Sequence, residues 1–261
     1  MKKKGENKYL IISAISVLGF IGIWYLCTAV LQLMPAYLLP SPIKVFSTFI
    51  DKFTNPNPDN GTIILHLLSS LRVSLTGFLL GSIVGIPLGV LMAWYKNVDR
   101  LVRPIFNLIR PIPPIAWIPL MIIWLGIGLR AKSSVIFFAA LIPCVINTYS
   151  GIKQTNQVHV WVGRVFGASN LEVLLKVAIP TALPQIFTGL KISLGSSWIS
   201  LVAAEMLAST NGLGYMIQIG RTFARADIIL VGMLTIGLVG AVMAWGISLL
   251  EKKFVKGGNK D

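Results

Sequence analysis

The chain is 261 residues long, with 55% hydrophobic and only 12% charged residues, a mean hydropathy of +0.78 and a formal net charge of +14. Soluble domains average about 25% charged residues, so this composition excludes an ordinary soluble domain and places the chain in a bilayer. The basic balance would suggest nucleic acid in a soluble protein, but here the charges lie between apolar runs and no nucleic-acid partner is expected.

Six runs approach the roughly 20 apolar residues needed to cross a hydrocarbon core of about 30 Å: residues 9–31, 73–95, 111–128, 133–152, 185–207 and 228–250. They predict an all-α polytopic membrane protein with six transmembrane helices. The first run follows Lys2-Lys3-Lys4. It exceeds the 7–15 residues of a signal-peptide core and no A-x-A site ends it, so it reads as a retained helix. Cys27 within it and Cys144 in the fourth run read as small buried hydrophobes, not as a disulfide or metal pair.

Ser41 before Pro42 is a helix start. Ile43, Phe46, Phe49, Ile50 and Phe53 then share one face, which predicts an amphipathic helix at the outer interface with Asp51 and Lys52 toward water. Residues 55–61 read as a turn-rich loop. Arg72 opens the second run, whose Gly77, Gly81, Gly85 and Gly89 recur every four residues. That spacing suits close helix packing, or a smooth wall of a translocation path. The third run carries Pro111, Pro113, Pro114 and Pro119 in its first half, a hindrance to continuous helix.

Between the fourth and fifth runs lies a polar, basic segment around residues 158–184. Gly167 permits close approach and Ser169, after Ala168, is an N-cap. Leu171, Leu174 and Leu175, with Val177 and Ala178, give a short helix its apolar side. Pro180 and Pro184 are expected to stop that helix and turn the chain into the fifth span. A rigid element held this way can transmit displacement.

In the fifth run Gly189, Ser193, Ser197 and Ser200 make a small, hydroxylated face, suited to hydrogen bonds across helices or to a wetted pore, and Lys191 near its start can snorkel. Glu205 falls near the outer end of the run. Three readings stay open for it: an interfacial carboxylate, a partner of Arg72 or an outer-loop charge, or a group at the substrate or gate. Residues 212–225, with early glycines and late charges, suggest an interfacial or re-entrant helix, or the frayed end of the fifth span.

With the N-terminus inside, Lys2, Lys3, Lys4, Lys8, Lys96, Arg100, Arg103, Arg110, Lys153, Arg164, Lys176, Lys252, Lys253, Lys256 and Lys260 lie on the inner side. Lys44, Lys52, Arg130, Lys132, Arg221 and Arg225 lie outside. Fifteen against six follows the positive-inside rule and places both termini in the cytoplasm. On this topology His66 and His159 fall in different aqueous compartments. The chain has no G-x-x-x-x-G-K-[ST] to cradle nucleotide phosphates, no H-E-x-x-H and no paired intramembrane carboxylates. A single intramembrane acid gives little support to a proton relay. A self-sufficient secondary transporter or channel, and a membrane enzyme or assembly factor, are the alternatives to a subunit of a larger machine.

The polar segment resembles the cytoplasmic loop of permease subunits of binding-protein-dependent ABC importers, of the form E-A-A, three residues, G, about nine residues, I-x-L-P. Gly167 and the Pro180/Leu183-Pro184 end are kept, while Trp161-Val162-Gly163 stand in the place of E-A-A. Leu39-Pro40-Ser41-Pro42, the run Arg110-Pro111-Ile112-Pro113-Pro114-Ile115-Ala116-Trp117-Ile118-Pro119-Leu120, Trp124-Leu125-Gly126-Ile127-Gly128, Pro143 with Asn147-Thr148-Tyr149, and Gly212-Leu213-Gly214-Tyr215 are similar to the nitrate, sulfonate and taurine branch.

The resemblance implies a type I importer transmembrane domain that forms the path for a small solute such as a sulfonate, taurine or nitrate. It implies an external solute-binding protein or lipoprotein that delivers the solute, a second permease chain as a homodimer, and separate cytoplasmic ATPase subunits. Those ATPases would use ATP and Mg, with no catalytic, cofactor or metal residues in this chain, and would meet Gly167, Ala168, Ser169, Leu171, Leu174, Leu175 and Pro180. The expected location is the bacterial inner membrane. The implied organisation is a stub and first helix (1–31), an external linker (32–64), the transmembrane core (65–251) with its coupling loop (158–184), and a basic tail (252–261).

Overall fold

The structure, a computed structural model, describes residues 3–255, with side chains from residue 12 onward. Lys2, Lys256 and Lys260 of the charge tally lie outside the described residues, as do the side chains of Lys3, Lys4 and Lys8. The described chain is helical: α1 (Lys3–Tyr25) with a π turn (Leu26–Val30), α2 (Pro42–Asp51), α3 (Ile63–Trp94), α4 (Lys96–Ile109), a 3₁₀ turn (Pro114–Trp117), α5 (Ile118–Leu125), α6 (Leu129–Lys153), α7 (Gln157–Val165), α8 (Asn170–Val173), a second π turn (Leu174–Ala178), α9 (Ile179–Ala208), α10 (Leu213–Thr222) and α11 (Ala226–Phe254).

Five helical stretches are long and apolar enough to cross a membrane, and a sixth exists only if α4 and the segment Pro114–Leu125, bent by 84°, count as one broken span. The continuous third span expected over 111–128 is therefore absent. Pro111, Pro113 and Pro114 supply no N–H and oppose helix continuation. They leave α5 with eight residues, about 12 Å at 1.5 Å per residue.

Helix α6 is the centre of the bundle, gripped by α3 on one side and α9 on the other. The four-residue glycine spacing of α3 produces the first contact. A Cβ on Gly77, Gly81, Gly85 or Gly89 would stand 2.6 Å from Cβ of Ile136, 2.6 Å from that of Ala140, 2.8 Å from that of Cys144 and 2.8 Å from that of Thr148. No side chain fits there, so the backbones meet through absence of side chains. On the α9 side, a Cβ on Gly189 would lie 2.8 Å from Cβ of Asn147.

Apolar clusters close both ends of this sandwich. Ile63, Val73, Ile136, Leu201, Leu213, Met216 and Val231 pack at the α10 end. Val90, Ala93, Ile152, Leu174, Ala178 and Ile186 pack at the α8 end. Between them, Trp198 donates its indole N–H to the Ile236 carbonyl at 3.0 Å, tying α9 to α11.

Three placements differ from the sequence reading. Helix α3 begins at Ile63, capped by Thr62, instead of at residue 73, so His66 lies inside a helix and is fully buried instead of facing an aqueous compartment. Arg72 points outward. Lys52 was expected toward water but is 1% exposed, because Asp59 and two loop carbonyls satisfy its ammonium. Ser41 caps α2 as expected, accepting from the Lys44 N–H, and α2 turns Ile43, Phe46 and Ile50 outward while Val45 and Thr48 pack inward.

Candidate functional site

At the α8 end, α7 ends in a C-cap built on Gly167. The Gly167 N–H donates to the Arg164 carbonyl at 3.0 Å and the Ala168 N–H to the Gly163 carbonyl at 3.0 Å, which needs the left-handed φ of +81° that Gly167 adopts. Nothing lies within 4 Å of a Cβ at this position. The glycine thus serves a backbone turn within the chain. One residue on, Ser169 and Glu172 form a reciprocal capping box: the Ser169 Oγ accepts from the Glu172 N–H at 3.2 Å and the Glu172 carboxylate accepts from the Ser169 N–H at 2.9 Å.

The leucines of this loop separate by role. Leu174 is 4% exposed and belongs to the core, whereas Leu171 and Leu175 are over half exposed. They share the open surface with Trp161, Val162, Val165 and Phe166, the last two 85% and 86% exposed. Buried Val160, Val173 and Leu174 anchor this surface from beneath. Gly163, in the place of a family alanine, leaves 3.3 Å between a would-be Cβ and Val173, which lets α7 lie against α8.

The proline corners expected at Pro180 and Pro184 do not form. Pro180 sits in the first turn of α9 and Pro184 inside it, and α8, the π turn and α9 run on as one 39-residue stretch. The π turn takes up the change of hydrogen-bond register just before Pro180, where the 179 N–H reaches back to Leu174. The α8 part of this surface is consequently a rigid extension of a membrane helix, with α7 packed against it.

At the opposite end lies a buried polar hub. Glu205, fully buried in α9, accepts from the Ser70 hydroxyl at 2.8 and 2.9 Å and from the Gly214 N–H at 2.9 Å. Ser70 in turn accepts from the Leu213 N–H at 2.9 Å, and His66 Nδ1 accepts from the Gly212 N–H at 3.0 Å. The N–H groups of the N-cap Gly212 and of the first two residues of α10, which a helix leaves unpaired, are thereby satisfied by side chains of α3 and α9. The Gly212 φ of +124° and the absence of a Cβ at Gly212 and Gly214 make room, since a Cβ on Gly214 would meet the Val202 carbonyl at 2.5 Å. Glu205 is thus neither interfacial nor paired with Arg72.

The hub continues outward. His66 Nε2 stands 3.2 Å from Asp59 Oδ2, and Lys52 Nζ lies 2.5 Å from Asp59 Oδ1 and 2.8 Å from the Gly61 carbonyl. Burial pushes the Asp59 carboxyl upward, but the His66 imidazole and Lys52 ammonium outweigh it and hold the carboxyl below the usual range. A second link joins α2 to α11, where Thr48 donates to Asp227 at 2.9 Å and Arg225 grips the same carboxylate.

The hydroxyl face of α9 is closed within the protomer: Ser193, Ser197 and Ser200 are all buried, and Ser193 donates to the Ala140 carbonyl at 2.9 Å. A wetted pore along this face is ruled out in this arrangement, because α3 and α6 cover it. Lys191 bonds Glu251 of α11 instead of snorkelling alone, and Lys132 donates to Ser209 at 2.8 Å. Among the described residues no three metal-ligating side chains converge. The sequence reading missed Ser70 as the partner of Glu205, and His66 and Asp59 as further members of the hub. The available signal was a helix start at Gly212 with no capping side chain of its own.

A glycine-packed helical bundle with a short helix rigidly extended from one membrane helix is the architecture of a transporter membrane domain. Residues 85–256 match the family described as the binding-protein-dependent transport system inner membrane component, and the chain belongs to that family. Its relatives include a putative ABC transporter permease of Methanocaldococcus jannaschii, 40% identical over 74% of this chain and 73% of that protein. A taurine transport system permease of Escherichia coli is 35% identical over 88% and 84%. A putative aliphatic sulfonates transport permease of Bacillus subtilis is 32% identical over 99% and 92%. The inward-facing MetNI methionine ABC transporter shares the fold, with a TM-score of 0.64 over 72% of this chain and 94% of its own at 20% identity. The chain is an ABC importer permease subunit, a multi-pass inner-membrane protein.

Proposed function

We propose that the chain moves small sulfonates or nitrate inward, as one of two identical membrane subunits served by an external binding protein and driven by separate ATPase chains. The relatives named for taurine, aliphatic sulfonates and nitrate support the cargo class. The observation that carries the coupling role is the α7–α8 surface: Leu171 and Leu175 project from a helix continuous with α9, and Trp161, Val162, Val165 and Phe166 from α7, which packs against it. An apolar surface in a basic segment is costly in water unless a partner covers it. The charge asymmetry supports placing this end, and both termini, in the cytoplasm. Of the loop residues, Leu171 and Leu175 would touch the ATPase, while Gly167, Ala168, Ser169, Leu174 and Pro180 would hold the surface in shape.

The two sites lie at opposite ends. Ser70 and Ala93 are 23 residues apart on α3, about 35 Å at 1.5 Å per residue. A delivered solute would therefore meet the Glu205 end first, and ATP-driven motion would enter at the other. The test is uptake of labelled taurine, ethanesulfonate and nitrate into proteoliposomes holding the chain, its ATPase and its binding protein. Uptake should require all three components and ATP. Uptake by the chain alone would return the secondary-transporter reading.

A further inference from the structure

Where α4 folds back against α3 and α6 at the α8 end, a cleft of about 300 Å³ opens, with Asp99, Arg103, Asn107, Arg110, Tyr149 and Ser150 supplying its polar lining. Arg103 is committed: its Nε and Nη2 lie 3.0 and 2.5 Å from the Asp99 carboxylate, and it also bonds the Tyr149 hydroxyl. Arg110, at the α4 C-cap before the 84° bend, has no ion-pair partner for its guanidinium among the described residues. Arg103 and Arg110 thus set two guanidiniums beside one carboxylate on the α4 wall of the cleft, and outside the lining Lys153 places a further cation 5.7 Å from the Tyr149 ring centroid. The other wall is apolar, with Met92, Val145 and Ile146.

We infer that this cleft is an oxyanion site, with Arg110 as its principal ligand and Asn107 and Ser150 as neutral donors. A free guanidinium presents a planar fork that matches two oxygens of one centre, and the Asp99–Arg103–Tyr149 bonds tie α4, which carries Arg110 and Asn107, to α6. The low-polarity wall keeps the charges from being fully screened, so the cleft favours an anion over water. Its volume is at the small end of the range for ligand pockets, suiting a sulfonate or nitrate with a short substituent. The assignment to cargo rests on the transport reading above: at this end the site would hold an anion leaving the path. A lipid phosphate has the same chemistry and is the second source.

The test uses the full chain in nanodiscs of zwitterionic phosphatidylcholine, with equilibrium binding of ethanesulfonate and of nitrate. Wild type should bind saturably, and Arg110→Gln should weaken binding about tenfold or more, with Arg110→Lys recovering part of it. Thermal melting should be unchanged, because Arg110 is exposed. If the free anions do not bind but phosphatidylglycerol copurifies in an Arg110-dependent manner, the oxyanion site stands and its source is lipid. Equal behaviour of wild type and Arg110→Gln toward both ligands overturns the site. Binding is read without transport, so failure of taurine, ethanesulfonate or nitrate uptake with binding retained would refute the proposed cargo and spare the cleft.

Discussion

Ser70 and Glu205, 135 positions apart, share one proton between a hydroxyl and both carboxylate oxygens at 2.8 and 2.9 Å, and through this pair α3 and α9 together hold the start of α10. Glu205→Ala would leave the Gly214 N–H and the Ser70 hydroxyl buried without their acceptor, at about 1–3 kcal/mol for each group. The variant should melt lower in detergent, and amides of α10 should exchange faster than those of α6. An unchanged melting curve would mean the carboxylate does not hold this helix.

Asp59 links stability to pH. Its carboxyl titrates in the folded protein below the usual 3.8 of a free aspartate, so the unfolded chain takes up the proton first. The stabilisation is present above about pH 3.8 and is lost as pH falls through the lower, folded value. Melting of wild type should decline in this acid window, while Asp59→Asn should start lower and show less of that decline. Parallel acid curves for the two proteins would remove Asp59 from the account.

Gly167 and Phe166 separate shape from contact. Gly167→Val forces a β-branched residue into φ +81°, at a cost of about 1–2 kcal/mol, and should reduce ATPase copurification by distorting the turn. Gly167→Asn, which tolerates that conformation, should retain it. Phe166→Asp changes only an exposed side chain, so the variant should insert and melt normally yet lose its ATPase. Retention of the ATPase by Phe166→Asp would place docking elsewhere.

The glycine face of α3 can be tested against its lipid side. Gly85→Leu must displace Cys144 or the Leu141 backbone, because even a Cβ there lies 2.8 Å from Cys144 and 3.1 Å from the Leu141 carbonyl. Overpacking of this kind costs about 1–3 kcal/mol or more, and transport should fall with thermal stability. Leu79→Ile, on a half-exposed face, should be nearly silent. Normal uptake by Gly85→Leu would show that α3 and α6 are free to separate there.

Orientation is read with one added thiol. Asn170→Cys, with Cys27 and Cys144 replaced by Ala, should react with an impermeant maleimide only after cells are opened. Labelling in intact cells would invert the topology.

The sequence alone determined the membrane class, most spans and the glycine contact, because each rests on local composition or on a fixed helical period, while the family came from the resemblance of its loop and proline motifs to known permeases. The Ser41 and Ser169 caps were equally local, since a cap bonds a backbone group within three residues. Tertiary structure decided whatever depended on a distant partner. Lys52 looks like a solvent-facing charge until the 55–61 loop folds over it, and Leu174 looks like its neighbours Leu171 and Leu175 until α3 and α6 bury it. Pro180 and Pro184 read as helix stops in isolation, yet a packed bundle and a π turn carry the helix through them. Glu205 shows the difference most plainly. Its residue type gives no clue to whether it meets water, a cation or a helix terminus, because the energy of a buried carboxylate is set by donors that arrive from elsewhere in the chain.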